Sequence, residues 1–286
     1  MTVLRDRRDR CPGVLRPWPA DDGLLVRLRL LGGQVASAAL LALVDVAERY
    51  GDGRVHVTSR ANLQLRGFPG TGGRLTQEAL AALDATGLLP SYTHELVRNV
   101  MVSPLSGLAG GRADLRPVAA ELDHRLCASR RLGELPGKFL FVLDDGRGDL
   151  VDQACDLGLV ALDAETAQLR VGEAYAEPVA LRVAAVSLVG LAHEFLDAAG
   201  TSRTAPWHLD ELSAPLLPPV PPDDRLPAAA GPLPFGPVPG GEHVAVPETG
   251  LDRAAVTDLA ARADRLVVTP WRGIVVPGAD VAGSDD

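Results

Sequence analysis

The sequence predicts an α+β protein in which two similar α/β units pack together. Three observations carry that expectation. A strand–helix–strand order runs through residues 23–67. The same order returns over residues 242–278. Between them lies a proline-rich stretch, Pro215 to Pro239, which holds ten of the 23 prolines and reads as an extended, semi-rigid linker.

The elements follow in order. "GLLVRLRLL", Gly23–Leu31, alternates as a strand does, and Gly32-Gly33 marks a turn. "VASAALLALVDVAERYG" has apolar residues at spacings of three and four and stops at Gly51, as a helix does. "VHVTSRANLQLRG", Val55–Gly67, reads as the returning strand. Residues 74–89 read as a second amphipathic helix, and "RNVMVSPLSGL", Arg98–Leu108, as a short extended run into a turn. Residues 117–131 read as helical, "GKFLFVLDDG" (137–146) as a glycine-bounded strand, 157–185 as a β-meander and 186–200 as a helix. After the prolines come the strand "EHVAVPE", the helix "DRAAVTDLAARA" and the strand "DRLVVTPWRGIVVPG" (264–278). Thr58-Ser59-Arg60 and Thr269-Pro270-Trp271-Arg272 then fall at corresponding points, offset by one residue, and two arginine-bearing turns are expected on a shared cleft.

Composition excludes several classes. The chain has 286 residues, 47% of them hydrophobic, and a net charge of −9. A general nucleic-acid or membrane-surface binder needs a basic field, which this chain lacks. No apolar run reaches the length of a spanning helix, and the charged N-terminus has no apolar signal core. The expectation is a cytoplasmic protein with no nucleic-acid or membrane partner, whose "RDRRDR" (Arg5–Arg10) is a solvated tail. Cys11, Cys127 and Cys155 are few, odd in number and far apart, so no disulfide framework is expected.

Two features bear on function. In Val55–Gly67 the alternation puts His56, Thr58, Arg60, Asn62, Gln64 and Arg66 on one face, which is either solvated or holding a ligand. Lys138 is the only lysine among 28 basic residues, so it is either a chance survivor or a place where guanidinium will not serve.

Taken together, "CPGVLRPWPADDGLLVRLRLLGGQV", "VHVTSRANLQLRG", "RNVMVSPLSG", "LPGKF" and "TPWRG" resemble the nitrite and sulfite reductase superfamily, and within it the precorrin-3B synthases. The resemblance covers residues 11–278 and implies two ferredoxin-like halves related by a pseudo-twofold, with a central α/β domain. The implied divisions are a tail (1–22), a first half (23–97), a central domain (98–205), the linker (206–240), a second half (241–278) and a tail (279–286). It also implies a reduced polycarboxylate tetrapyrrole, sirohaem in reductases and the substrate in precorrin-3B synthases. Forked, permanently charged arginines suit such a ring. By resemblance Arg60, Arg98 and Lys138 are catalytic-site cations. Asn62, Gln64, Arg66 and Arg272 are candidate ring-binding residues, Arg272 alternatively stacking on Trp271.

Two departures matter. Reductases carry a second lysine where this chain has Leu140, which favours the precorrin-3B synthase branch, as does "TPWRG". The family's [4Fe–4S] cluster uses Cys-x5-Cys and Cys-x3-Cys pairs, and no cysteine here has either spacing. No metal ligand is therefore assigned. The chain is expected to be a truncated or split oxidoreductase served by a separate cluster-bearing chain, a non-catalytic tetrapyrrole binder, or a relative of the sirohaem reductases. His56, His94 and the Asp144-Asp145 pair are weaker candidates: a lone histidine is more often structural, and "DDG" after a strand is more often a turn.

Overall fold

The computed structural model describes residues 11–202 and 204–278; Arg5–Arg10 and the tail after Gly278 lie outside them. The chain forms an α+β fold of two compact units. One is split, comprising Pro12–Glu95 and 232–278; the other is continuous over Leu96–Gly231, with Cys11 joined to it.

The split unit begins with strands β1 (Trp18–Ala20), β2 (Gly23–Leu28) and β3 (Gln34–Ala36), then helix α1 (Ser37–Tyr50). Strands β4 (His56–Val57) and β5 (Leu63–Phe68) follow, then a small hairpin, β6 (Gly70–Thr71) and β7 (Arg74–Leu75), and helix α2 (Gln77–Asp84). Thr76 caps α2 by accepting the Ala79 N–H. In the continuous unit come β8 (Val100–Val102), α3 (Arg116–Ala128), β9 (Phe141–Asp144), β10 (Leu157–Ala161), β11 (Thr166–Val171), β12 (Ala174–Ala180) and α4 (Leu181–Ala199). The chain then returns to the split unit with β13 (Gly236–Val238), β14 (Gly241–Ala245), α5 (Arg253–Arg262), β15 (Arg265–Thr269) and β16 (Gly273–Pro277).

The two sheets of the split unit repeat one order. The first runs β1-β2-β5-β4, and the second β13-β14-β16-β15, with β3 added beyond β15. Every pairing in both is antiparallel. The exchange of edges is reciprocal. β3, which precedes α1, pairs with β15, while Leu251, which precedes α5, bridges Val55 at the start of β4. Helix α1 buries Leu40, Leu43, Val44 and Ala47, the three- and four-residue spacing of one stripe. They join Val26, Leu63 and Leu65 of one sheet, Leu266, Val268 and Ile274 of the other, and Val256 and Leu259 of α5 in one core. Arg253 of α5 forks onto Glu48 of α1 at 2.7–3.0 Å along the exposed rim.

The structure corrects two expected single strands. Val55–Gly67 is a hairpin whose turn, residues 58–62, separates β4 from β5, and 264–278 is likewise β15 and β16 around residues 270–272. Thr58 Oγ1 accepts from the Asn62 N–H at 3.2 Å, and Thr269 Oγ1 from the Gly273 N–H at 3.2 Å. Ala61 (φ 53°) and Arg272 (φ 57°) occupy the left-handed region at matching places. Thr58 thus registers on Thr269 without an offset: Arg60 stands where Trp271 does, and Arg272 where Ala61 does. Gly33 (φ 74°) lies against β15 and the 58–62 turn, because a Cβ there would stand 2.1 Å from the Val268 carbonyl oxygen and 3.4 Å from Ala61 Cβ.

The continuous unit carries the mixed sheet β12-β11-β10-β9-β8. The β8–β9 and β9–β10 pairs are parallel, the others antiparallel. β9 and β10 are buried at every position, so they read as apolar runs rather than alternating strands. Helices α3 and α4 pack on each other, and α4 also packs on β10–β12. Phe139 anchors this core, 5.3 Å from the Phe141 ring and 4.8 Å from Phe195. The proline-rich stretch is bonded along the unit: Gln168 Nε2 donates to the Pro221 carbonyl, its Oε1 accepts from Asp223 N–H, and Ala230 N–H donates to the Gly148 carbonyl.

Gly33→Ala is expected to cost about 3 kcal/mol or to prevent folding, since it combines positive φ with a backbone collision. Gly190→Ala, in open space on α4, is expected to stabilise by roughly 0.5–1 kcal/mol. Urea unfolding of both variants checks the pair; wild-type stability in Gly33→Ala would contradict the close approach.

Candidate functional site

In the split unit the polar residues of 55–67 divide between several tasks. Asn62, 1% exposed, points inward and its Oδ1 accepts the Leu30 N–H at 2.8 Å. This differs from the alternating expectation because the turn inserts five non-strand residues between β4 and β5. Gln64 accepts from Arg27 Nη2 at 3.0 Å and pairs across the sheet with Arg27 and His56. Arg66 forks onto Asp22, and that guanidinium holds the Asp22 carboxyl below its ordinary range. Arg60 rides half-buried on the turn, where its N–H is 3.4 Å from Thr58 Oγ1. Arg272, on the matching turn, reaches Glu248 at 3.2 Å in an exposed pair, while the Trp271 ring stands edge-on to His243.

The weaker histidine candidates are tied locally. His56 Nε2 meets Asp52 at 2.8 Å, and buried His94 shares Nδ1 with the hydroxyls of Ser91 and Thr93, each at 2.9 Å. Arg29 is buried between the carbonyls of Pro12 and Glu95, and the Glu95 carboxylate accepts the Val14 and Leu15 N–H groups. These bonds tie residues 12–15 to Arg29 and Glu95.

In the continuous unit Arg98 and Lys138 are linked through the residues around them. Arg98 sends Nε and Nη2 to the two oxygens of Asp123 on α3, at 2.6 and 2.9 Å, in a mostly buried fork. Its neighbour Asn99 turns the other way. Asn99 Nδ2 donates to the carbonyls of Leu96, Gly137 and Phe139, and so clamps the tight turn that presents Lys138. The far side of that turn is held by Asp156, whose Oδ2 accepts the Leu140 N–H at 2.9 Å. The Lys138 ammonium lies 5.1 Å from the centroid of the Trp207 ring. Leu140 itself is buried, 3% exposed, and belongs to the core. Asn99, Asp156 and Trp207 were not among the sequence candidates. Asn99 could have been found from its place in the "RNV" motif; Asp156 and Trp207 have no local cue.

The Asp144-Asp145 pair organises a loop. The Asp144 carboxylate accepts the N–H groups of Gly146, Gly148 and Leu150, and Asp145 takes the Arg147 fork. Beside them Asp149 accepts from Ser103 Oγ at 2.6 Å through Oδ1, while its Oδ2 is buried without a hydrogen bond. Burial pushes the Asp149 carboxyl up to about 7, with the charges of Asp144 and Asp145 adding to the rise.

The cysteines do not fit an iron–sulfur cluster, which needs four thiolates where the chain has three. Burial pushes the Cys155 thiol up to about 11 and raises Cys127 as well. Among the described residues, no three His, Cys, Asp or Glu side chains gather where a metal could bind. Among those residues, too, no helix is long and apolar enough to cross a membrane.

Comparison with known proteins agrees with this architecture. Residues 19–71 match the nitrite/sulfite reductase ferredoxin-like half domain. The chain is 34% identical over 149 residues to a precorrin-3B synthase of Sinorhizobium sp, covering 51% of this chain and 30% of that protein. It is 34% identical over 134 residues to the ferredoxin–nitrite reductase of Synechococcus elongatus, covering 44% of this chain and 26% of that one. The chain therefore spans under a third of either relative. In fold it is similar to the Mycobacterium tuberculosis NirA protein, with a TM-score of 0.69 over 96% of this chain and 59% of that one, at 20% identity.

Asp149 gives a pH prediction. Its carboxyl is raised from 3.8 to about 7, so its contribution to stability is complete below the unfolded value and is lost as pH rises toward 7. Asp149→Asn is expected to be more stable than wild type at pH 8, by up to a few kcal/mol, and closer to it at pH 4. Thermal melts at the two pH values check this; a constant difference between the proteins would contradict it.

Proposed function

Given this relation to the precorrin-3B synthases and the nitrite and sulfite reductases, we propose that the chain binds a reduced tetrapyrrole bearing several carboxylates. The observation that carries the proposal is the Lys138 turn. The only lysine of the chain stands on a turn that two buried side chains, Asn99 and Asp156, hold in place from either side. A side chain with no role in the core would not need so rigid a mount. In this reading Lys138 supplies a compact ammonium suited to a carboxylate, and Arg60 is a separate candidate, a planar fork on the half domain. Asn62 supports the Arg60 turn from below through its bond to Leu30. Arg98 shapes the Lys138 side through Asp123 and Asn99 rather than by touching ligand. Gln64, Arg66 and Arg272 are the outer candidates. The two halves of the split unit, with their shared strand order, are read as a duplicated ferredoxin-like pair related by a pseudo-twofold.

A second reading is favoured by the similarity to the Sinorhizobium precorrin-3B synthase. In it the chain is the tetrapyrrole-holding part of an oxidoreductase whose cluster sits on a separate polypeptide. It predicts tetrapyrrole turnover only when a cluster-bearing protein is added, and none with the chain alone.

Uroporphyrin III, a planar polycarboxylate tetrapyrrole, is a usable probe. Fluorescence titration is expected to show saturable binding to the full chain. Arg60→Ala and Lys138→Ala are each expected to weaken it by about tenfold, the scale of one charge-assisted contact, without lowering the melting temperature. Equal affinity in wild type and both variants would remove these residues from the site. Absence of binding to wild type would overturn the proposal.

A further inference from the structure

We propose that His208, oriented by Asp156, is a second carboxylate-binding cation beside Lys138, and that Trp207 positions the Lys138 ammonium next to it. The inference rests on the tetrapyrrole reading above and deepens it.

Asp156 is the joint. Its side chain is 4% exposed, and it collects three donors: the Leu140 N–H, the Leu209 N–H at 3.0 Å and His208 Nδ1 at 3.2 Å from both oxygens. A carboxylate with two backbone donors already in place can only accept from the ring, so Nδ1 carries a hydrogen. The bond fixes the ring, and Nε2, on its opposite side, is the nitrogen left to meet a ligand. The His208 side chain is about one-third exposed, at 32%. Asp156 therefore links the Lys138 turn, through Leu140, to the segment that carries His208. Trp207 precedes His208 in the chain: its ring lies 5.1 Å from the Lys138 ammonium, and its backbone N–H donates to Glu211 Oε2 at 2.9 Å.

A purely structural tie between residue 140 and residue 209 would be complete with the two N–H groups. The imidazole adds a titratable, partly exposed group to a buried acceptor. The charged neighbours favour its protonation. Asp156 raises the His208 pKa chiefly through the hydrogen bond, and Glu211 and Asp210 of its own segment add to the rise. Partial burial of the imidazole opposes it, while the Cys155 thiol next to Asp156 stays uncharged at neutral pH. A ligand carboxylate would meet two unlike cations, one permanently charged and one whose charge is lost as pH rises.

The test uses the full chain and uroporphyrin III between pH 5.5 and 9. Wild-type affinity is expected to fall about tenfold as His208 loses its proton, and His208→Gln is expected to abolish that step while the melting temperature holds. If wild type and His208→Gln bind with superimposable pH profiles, His208 is structural and this inference falls alone. If wild type binds at no pH, the tetrapyrrole reading falls with it. Because Lys138 is the only side-chain amine, reductive 13C-methylation gives it a single NMR signal apart from the N-terminus. That signal is expected upfield under the indole in wild type and shifted downfield in Trp207→Leu. The same position in both would overturn the positioning role.

Discussion

The hydrogen bonds between β3 and β15, with the reciprocal bridge of Val55 to Leu251, set the geometry of the split unit. Each half contributes the residues before its own helix to the edge of the other half's sheet. An uncovered edge strand invites non-native pairing, and mutual coverage removes that exposure at both places. It also fixes register. Pairing of Leu266 with Val35 places the Val268 N–H on the Gly33 carbonyl and brings β15 and the 58–62 turn to the same glycine. A one-residue slip would turn buried Leu266 and Val268 outward, so the core enforces the exchange.

With the turns held there, the two halves differ in what they present. One turn offers Arg60 and the other Trp271 at the same position, on the same threonine-bonded frame. A cation and an indole suit different parts of a carboxylated flat ring, the first its acid side chains and the second its conjugated face. The continuous unit achieves its presentation differently. There the backbone of residues 137–140 is held by side chains, Asn99 on one side and Asp156 on the other. Both devices position a charged residue through bonds to backbone.

The strand–helix–strand repeat was legible in the sequence because α1 and α5 keep their apolar stripes and the strands between turns are apolar. The break at residues 58–62 was not. Thr58, Arg60 and Asn62 continue the polar alternation, and the left-handed residue is Ala61 rather than a glycine. β3 was hidden for another reason: three residues are too few to show a period, and their partners lie over 200 positions away. Lys138 stood out by being the only lysine, and the structure mounts it on a clamped turn. The fork of Arg98 onto Asp123 and the joint at Asp156 depend on contacts 16 to 53 residues apart, which no local pattern records.

Hydrogen–deuterium exchange on the full chain, with and without saturating uroporphyrin III, tests the central claim most directly. Residues 136–141 and 205–209, which lie in one unit, should gain protection on binding, with little change along exposed α4 residues such as Val183 and Val186. Saturable binding that leaves those two segments unprotected would place the ligand elsewhere and contradict the account.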